Sequence, residues 1–387
     1  MWLPRMGRSV GGLPVREVFV AAAGTAPVGK HPFGMGRALA REAGVAALKE
    51  AGADFTGIDA LYCGVAMPGS PRAVLVAKEF GLTGLPVVQI TNASASGLAA
   101  VHQAMIAIES GRHDVVMVLG YDLPEQDENP LKGFLPPPAL FAMWAQRRMH
   151  DHGTKPEHLA MVAAKNWNYA RDIPHAARRS DHEVTVDEVL ASRTVAAPLT
   201  AMMSTPWVFG ASAVILASRE GLKRLPQAQW PMPRIAASEW QTEVYEEYHI
   251  FEGAIVGPPA ISRTTFEAAL SAAGKTREEV DIVQIHDAFA IEELEYYELF
   301  GFVGTGEAEG KLEQGAFGPG SRAKTGLPEF STDGGLIGRG HPAGPSGVLQ
   351  LIETRRRFRD FGDRVGVCHL LGAGSSCIVQ ILEQAEP

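Results

Sequence analysis

The feature that most constrains this chain is a block that occurs twice. Residues 46–59 read AALKEAGADFTGID and residues 268–281 read AALSAAGKTREEVD. Each has Ala-Ala-Leu, then Ala-Gly, then an Asp seven residues past the glycine. Each reads as the end of an amphipathic helix, a Gly stop, a polar turn and entry into an apolar strand. The strands that follow are predicted at 60–66 and 282–285. A second correspondence comes later. Ser96-Gly97-Leu98 opens a helix to about Gly111, followed by a strand over 114–120. Ser346-Gly347-Val348 opens a helix to about Phe361, followed by a strand over 364–372. The same order of elements, met twice, predicts an α/β fold of two similar halves about a pseudo-dyad.

Residues 121–204 interrupt the pattern with a proline-rich turn (Pro136-Pro137-Pro138) and two helical stretches, the second near 158–170. They read as an inserted helical subdomain or lid. The predicted division is residues 1–120 for the first half, completed by 205–222, then the insertion 121–204, then 223–387 for the second half. A chain of 387 residues suits such a division.

Composition removes several classes of function. A formal charge of −9 argues against a nucleic-acid partner, which needs a basic face. No apolar run reaches the roughly 20 residues of a membrane helix, and residues 1–15 lack the apolar core of a secretory signal. Three cysteines (Cys63, Cys368, Cys377) form neither a disulfide framework nor a zinc pattern, and they fit a reducing, cytoplasmic compartment. No metal ligand set is expected.

Four segments can carry chemistry. Thr91-Asn92-Ala93-Ser94-Ala95-Ser96-Gly97 lies between an apolar strand and a helix, where free N–H groups favour an anion. The plain reading of Ser94 or Ser96 is helix capping; the functional one is a nucleophile. His286 ends an apolar strand and is followed by Asp287, which suits a general base or a structural strand-end histidine. His341 sits in the glycine-dense stretch 333–347, and no Gly-Lys-Ser/Thr follows to make it a nucleotide loop. The turn Gly372-Ala373-Gly374 can aim backbone N–H groups at a developing oxyanion. Cys377, just beyond it, reads as a buried thiol.

In this order, HDAF (286–289), GGLIGRGHPAGPSG (334–347) and HGTKPEHLAMVAAKN (152–166) resemble the thiolase superfamily, above all the sterol-carrier-protein-type thiolases and their bacterial relatives. The likeness runs from about Arg16 to Leu382. It implies two βαβαβαββ halves in five αβαβα layers and at least a homodimer. It also implies acyl transfer on acyl-CoA: CoA-dependent cleavage of a 3-ketoacyl-CoA, or the reverse Claisen condensation. Coenzyme A enters as substrate, with no permanently bound cofactor. By resemblance Ser94 occupies the position of the acylated cysteine, and His341 matches the histidine that activates it. His286 matches the second acid/base, and Gly372 and Gly374 match the oxyanion turn. Asn92, Phe289, Trp207 and Tyr245, with Phe209 and Tyr248, are candidates for substrate contact.

The main departure is Ser94, since a hydroxyl needs a committed base where a thiol does not. No acid that would orient His341 is visible in the sequence. Asn-Ala-Cys-Ala-Ser-Gly would be ordinary for the family, so a nucleophile-disabled Cys-to-Ser form is one reading. A retro-aldol C–C lyase working with a small OB-fold/zinc-ribbon partner is another. A non-catalytic acyl-CoA-binding subunit is the third.

Overall fold

The computed structural model describes residues 15–32, 34–66, 72–122, 137–242, 260–372 and 376–387. The first half supplies β1 (Val18–Thr25), β2 (Ala60–Gly64), β3 (Val87–Ile90) and β4 (Val115–Asp122). A short hairpin, β5 (Thr194–Ala196) and β6 (Leu199–Thr200), lies in the interrupting region, and β7 (Gly210–Ser218) follows it. The second half adds β8 (Met232–Thr242), β9 (Ile282–Gln284), β10 (Glu329–Phe330), β11 (Val365–Gly372) and β12 (Ser376–Ala385).

Ten strands form one sheet in the order β10-β9-β11-β12-β8-β1-β7-β4-β2-β3. Among the described residues its two five-stranded halves pair at Phe19 and Arg234. In the first half β3, β2 and β4 run parallel, while β7 joins β4 and β1 antiparallel. In the second, β10, β9 and β11 run parallel, while β12 joins β11 and β8 antiparallel. Position for position, β1, β2, β3, β4 and β7 correspond to β8, β9, β10, β11 and β12.

The repeated sequence block performs the same tasks in both halves. Helices Gly36–Ala51 and Ile261–Ala273 stop at Gly52 (φ 66°) and Gly274 (φ 63°), left-handed positions that suit glycine. The Asp seven residues on then pins the neighbouring parallel strand. Asp59 accepts from the N–H groups of Asp114 and Val115, and Asp281 accepts from those of Arg364 and Val365. Each contact spans parallel strands that share no hairpin, so one carboxylate fixes their register.

Alternating residues of the sheet face different cores. Val116, Val118, Cys368, Leu370, Ile378 and Leu382 pack with helices Ser96–Glu109 and Ala343–Phe361 in a central layer. Met117, Leu119 and Ile215 face the helix Gly36–Ala51 outside the first half. Val367, Leu371 and Val379 face an outer layer of the second half, built from helices Ile261–Ala273 and Ala290–Leu299. The result is five alternating layers of helix and sheet, as the resemblance implies. All eight residues of β4 and of β11 are buried, as strands covered on both faces must be.

The two central helices meet at their N-termini, where there is no room for side chains. A Cβ on Gly97 would lie 2.6 Å from the carbonyl oxygen of Gly344, and one on Gly347 would lie 2.5 Å from the Leu98 nitrogen. The Ser-Gly of each half is therefore a packing requirement, and it brings the Ser94 and His341 loops together.

The interrupting region contributes helices Pro137–His152 and Pro156–Ala170, which share the outer core of the second half. Arg148, fully buried there, bonds Glu295, Glu298 and Glu309. Lys165 and Asn166 hold Glu293, and Asn166 also holds Asp287. This region is thus fixed to the elements that carry His286.

Candidate active site

The chain leaves β3 through Asn92 and enters the helix Ser96–Glu109 at Ala95. Ala93 turns through a left-handed φ of 43°, a conformation that costs an Ala about 1 kcal/mol. Ser96 tightens this turn: its hydroxyl donates to the Ala93 carbonyl (2.7 Å) and accepts from the Asn92 N–H (2.7 Å). Neither serine caps the helix in the ordinary way. The N-cap is Ala95, with no side-chain cap bond. With the turn closed by Ser96, the Ser94 hydroxyl is left to point at the other half.

There it meets His341, whose Nε2 lies 2.8 Å from Ser94 Oγ. The other ring nitrogen, Nδ1, lies 2.8 Å from Ser346 Oγ. Ser346 spends its single hydroxyl proton on the Pro342 carbonyl (2.8 Å), so towards the imidazole it can only accept. Nδ1 therefore carries the proton and Nε2 presents its lone pair to Ser94. Burial, reinforced by the neighbouring His286 and the positive charge of Arg339, holds His341 well below the usual histidine range. A neutral imidazole with its lone pair on a hydroxyl can take that proton. The orienting role that an acid would play falls to a serine, which the sequence reading missed. Ser346 lies five residues after His341, on the first turn of its own helix.

Asp122 fixes this loop from the first half, its carboxylate accepting from the N–H groups of Ala66 and Gly344. Asp287 fixes it from the second, accepting from the Leu336 N–H (2.8 Å) and Asn166 (2.9 Å). Burial and the charge of Glu293 raise the Asp287 carboxyl well above the usual range. The acid that follows His286 in sequence is thus a loop anchor and does not touch that histidine.

His286 instead pairs with Glu292, whose Oε1 lies 2.8 Å from Nδ1. The His286 and His341 rings stand edge to face with centroids 5.3 Å apart, so both imidazoles open on the same space beside Ser94. Glu292 was not singled out from the sequence. Its only signal is a place six residues after His286, at the start of the next helix.

The remaining candidates divide. Gly372 abuts the Ser94 loop: a Cβ there would lie 2.6 Å from Asn92 Oδ1, and Asn92 Nδ2 donates to Ser376 Oγ (3.1 Å). Phe289 is buried and stacks on Phe141, with centroids 4.5 Å apart, as part of the outer core. Trp207 stands on the surface, 77% exposed, edge-on to Phe209. Gly374, Tyr245 and Tyr248 lie outside the described residues. Cys377 is fully buried, and burial pushes its thiol up to about 12, as befits a thiol that takes no part in the site.

Residues 18–125 match the family model described as thiolase, N-terminal domain, and residues 250–370 match thiolase C-terminal domain-like. The benzoylsuccinyl-CoA thiolase subunit BbsB of Thauera aromatica is 30% identical over 382 residues, covering 93% of this chain and 95% of that protein. The chain belongs to the thiolase family. Sterol carrier protein 2 of Gallus gallus is another relative of this thiolase-family chain, 28% identical over 90% of the chain and 68% of that protein. Among solved structures the fold matches the Ltp2-ChsH2(DUF35) aldolase with a TM-score of 0.81. The identity is 22%, and the match covers 96% of this chain and 98% of that one. Among the described residues no helix of this thiolase-family chain is long and apolar enough to cross a membrane.

Proposed function

We propose that this chain carries out thiolase-type acyl transfer, the CoA-dependent cleavage of a 3-ketoacyl-CoA or its reversal. The observation that carries this reading is the hydrogen bond from Ser94 to the unprotonated nitrogen of His341. In the cleavage direction Ser94 Oγ attacks the 3-keto carbon while His341 Nε2 takes its proton. The C2–C3 bond breaks towards the thioester, and His286, carrying the proton taken from a CoA thiol in the preceding turnover, gives it to C2 to release the shorter acyl-CoA. Free CoA, its thiol deprotonated by His286, then attacks the Ser94 ester, and His341 returns the proton to Ser94. Gly372 and Gly374 supply the oxyanion turn in this scheme.

The oxygen at position 94 sets the pace. A thiol reaches its anion near neutrality, whereas a hydroxyl must be deprotonated during attack, so a Cys at 94 would speed the same machinery. The chain as it stands is a slow or nucleophile-disabled form of that catalyst. The name of BbsB supports an aromatic or otherwise bulky acyl chain. Trp207, which stands exposed on the surface, is the residue we assign to such a chain.

A homodimer fits the exposed edge of the sheet. Among the described residues β3 pairs with β2 alone, and Val74, Leu75, Leu82, Val88 and Ile106 are exposed. The Ser94 loop follows β3 directly, so pairing there would brace it. A second reading, a retro-aldol lyase with a small OB-fold/zinc-ribbon partner, needs no nucleophile at 94. It is favoured by the serine itself, and the retained pair of imidazoles weighs against it. The test is an assay of 3-ketoacyl-CoA esters, aromatic ones included, with and without CoA. New acyl-CoA that appears only when CoA is added supports acyl transfer. Aldehyde or ketone release without CoA supports the lyase.

A further inference from the structure

We propose that Glu292 is the positioning residue for His286, holding the proton on Nδ1 so that Nε2 is the nitrogen that exchanges a proton with substrate. The role given to His286 rests on the acyl-transfer reading above, whereas its tautomer rests on geometry alone. Glu292 is fully buried and is the third residue of the helix Ala290–Leu299. Its two oxygens meet two different donors. Oε2 accepts from the Phe289 N–H at 3.1 Å, and Oε1 lies 2.8 Å from His286 Nδ1. The first bond caps the helix, as an acid at this position does. The second leaves Nε2 as the nitrogen available to substrate, since among the described residues Nε2 makes no hydrogen bond.

A carboxylate satisfies both donors because it is acceptor-only at both oxygens. The isosteric amide cannot. In Glu292→Gln the one amide oxygen serves either Phe289 or His286, and the NH2 group faces whichever is left. The Phe289 N–H cannot change its role, so the oxygen goes there and the NH2 turns to Nδ1. His286 Nδ1 must then accept, and the ring proton moves to Nε2. Helix capping survives this substitution while the presentation of His286 is reversed. A purely structural Glu292 and a positioning Glu292 therefore give different results.

His286 also stands edge to face with His341, so its orientation decides whether two imidazoles serve one substrate from two sides. The His286 N–H lies 3.4 Å from Nδ1 of buried His369, which holds the backbone and leaves the ring to Glu292. Nothing in the HDAF stretch supplies this function, because Asp287 is engaged with Leu336 and Asn166.

The experiment is a long-range 1H–15N correlation spectrum of the chain labelled with [15N]histidine, at a pH where the ring is neutral. The His286 signals are assigned by their loss in His286→Asn. In the parent, the proton is expected on Nδ1; in Glu292→Gln it is expected on Nε2. In the Ser94→Cys background Glu292→Gln should lower kcat for 3-ketoacyl-CoA cleavage about 100-fold, with KM changed by no more than about twofold. A parent ring protonated on Nε2 overturns the proposal without any variant, so a poorly folded Glu292→Gln would not shield it. An unchanged tautomer in Glu292→Gln overturns it too, as does a switched tautomer with unchanged kcat. If no form cleaves any ester but the tautomer switches as expected, the acyl-transfer reading falls and the placement of His286 by Glu292 stands.

Discussion

Ser94 and His341 lie 247 residues apart in sequence and share a 2.8 Å hydrogen bond across the pseudo-dyad. Neither half of the chain contains this pair alone. It exists because the N-termini of two equivalent helices, one from each half, meet without side chains between them at Gly97 and Gly347.

That junction should be intolerant of a single methyl group. A Cβ at position 347 would meet the Leu98 backbone nitrogen at 2.5 Å, and backbone cannot swing aside. Gly347→Ala should lower stability by about 1–3 kcal/mol, the usual cost of overpacking. Urea unfolding measures it, and an unchanged midpoint would show that the two helices can part at no cost.

Ser346→Ala should leave the fold intact but release His341. The buried Nδ1–H loses its only acceptor, a cost of about 1–3 kcal/mol that the ring can escape by moving its proton to Nε2. In that tautomer it cannot take a proton from residue 94. In the Ser94→Cys background kcat should fall about tenfold or more, while acyl-CoA binding by calorimetry holds. Unchanged turnover would mean that His341 needs no such support.

Acid should weaken the native state through buried, neutral histidines. Burial, with Arg339 and Arg356 adding and Asp333 opposing, lowers His175 to about 4. An unfolded histidine titrates near 6.5. Between those values the unfolded chain holds a proton that the folded chain refuses. The stabilisation is thus complete above about 6.5 and is lost as pH falls towards about 4. Between pH 6 and 5 the parent should lose about 1.2 kcal/mol more than His175→Gln, by urea unfolding at both pH values. Equal losses would place His175 in contact with water.

The edge strand offers a test of assembly. Val88 lies on β3 and is exposed, as is Leu82 ahead of the strand, at 89%. Val88→Lys should convert a dimer into a monomer in light scattering, since a lysine on an open edge opposes strand pairing. A dimer that survives would move the interface elsewhere.

Much of this architecture was legible before any coordinates. The repeated Ala-Gly stop and the Asp seven residues later announced two similar halves, because a helix stop and a register-fixing carboxylate are needed wherever the same unit is built. Ser94, His286 and His341 were legible as candidates because each ends an apolar element or sits in a glycine-dense turn. Their supports were not. Ser346 and Glu292 lie on first turns of helices, and only the folded approach of each helix to its loop turns them towards a histidine. Asp287 was misleading for the same reason. Its neighbour in sequence is His286, but its partners are a backbone N–H and an amide from distant segments. The capping role of Ser94 was the safer reading from local sequence alone, and the histidine 247 residues away displaces it.

The most direct test of the account is CoA-dependent cleavage of a panel of 3-ketoacyl-CoA esters by the parent chain and by Ser94→Cys. The account predicts that Ser94→Cys cleaves at least one ester about 100-fold faster than the parent, since only the nucleophile's acidity has changed. If neither form cleaves any ester although both bind acyl-CoA, Ser94 and His341 are not an acyl-transfer pair and the central claim is wrong.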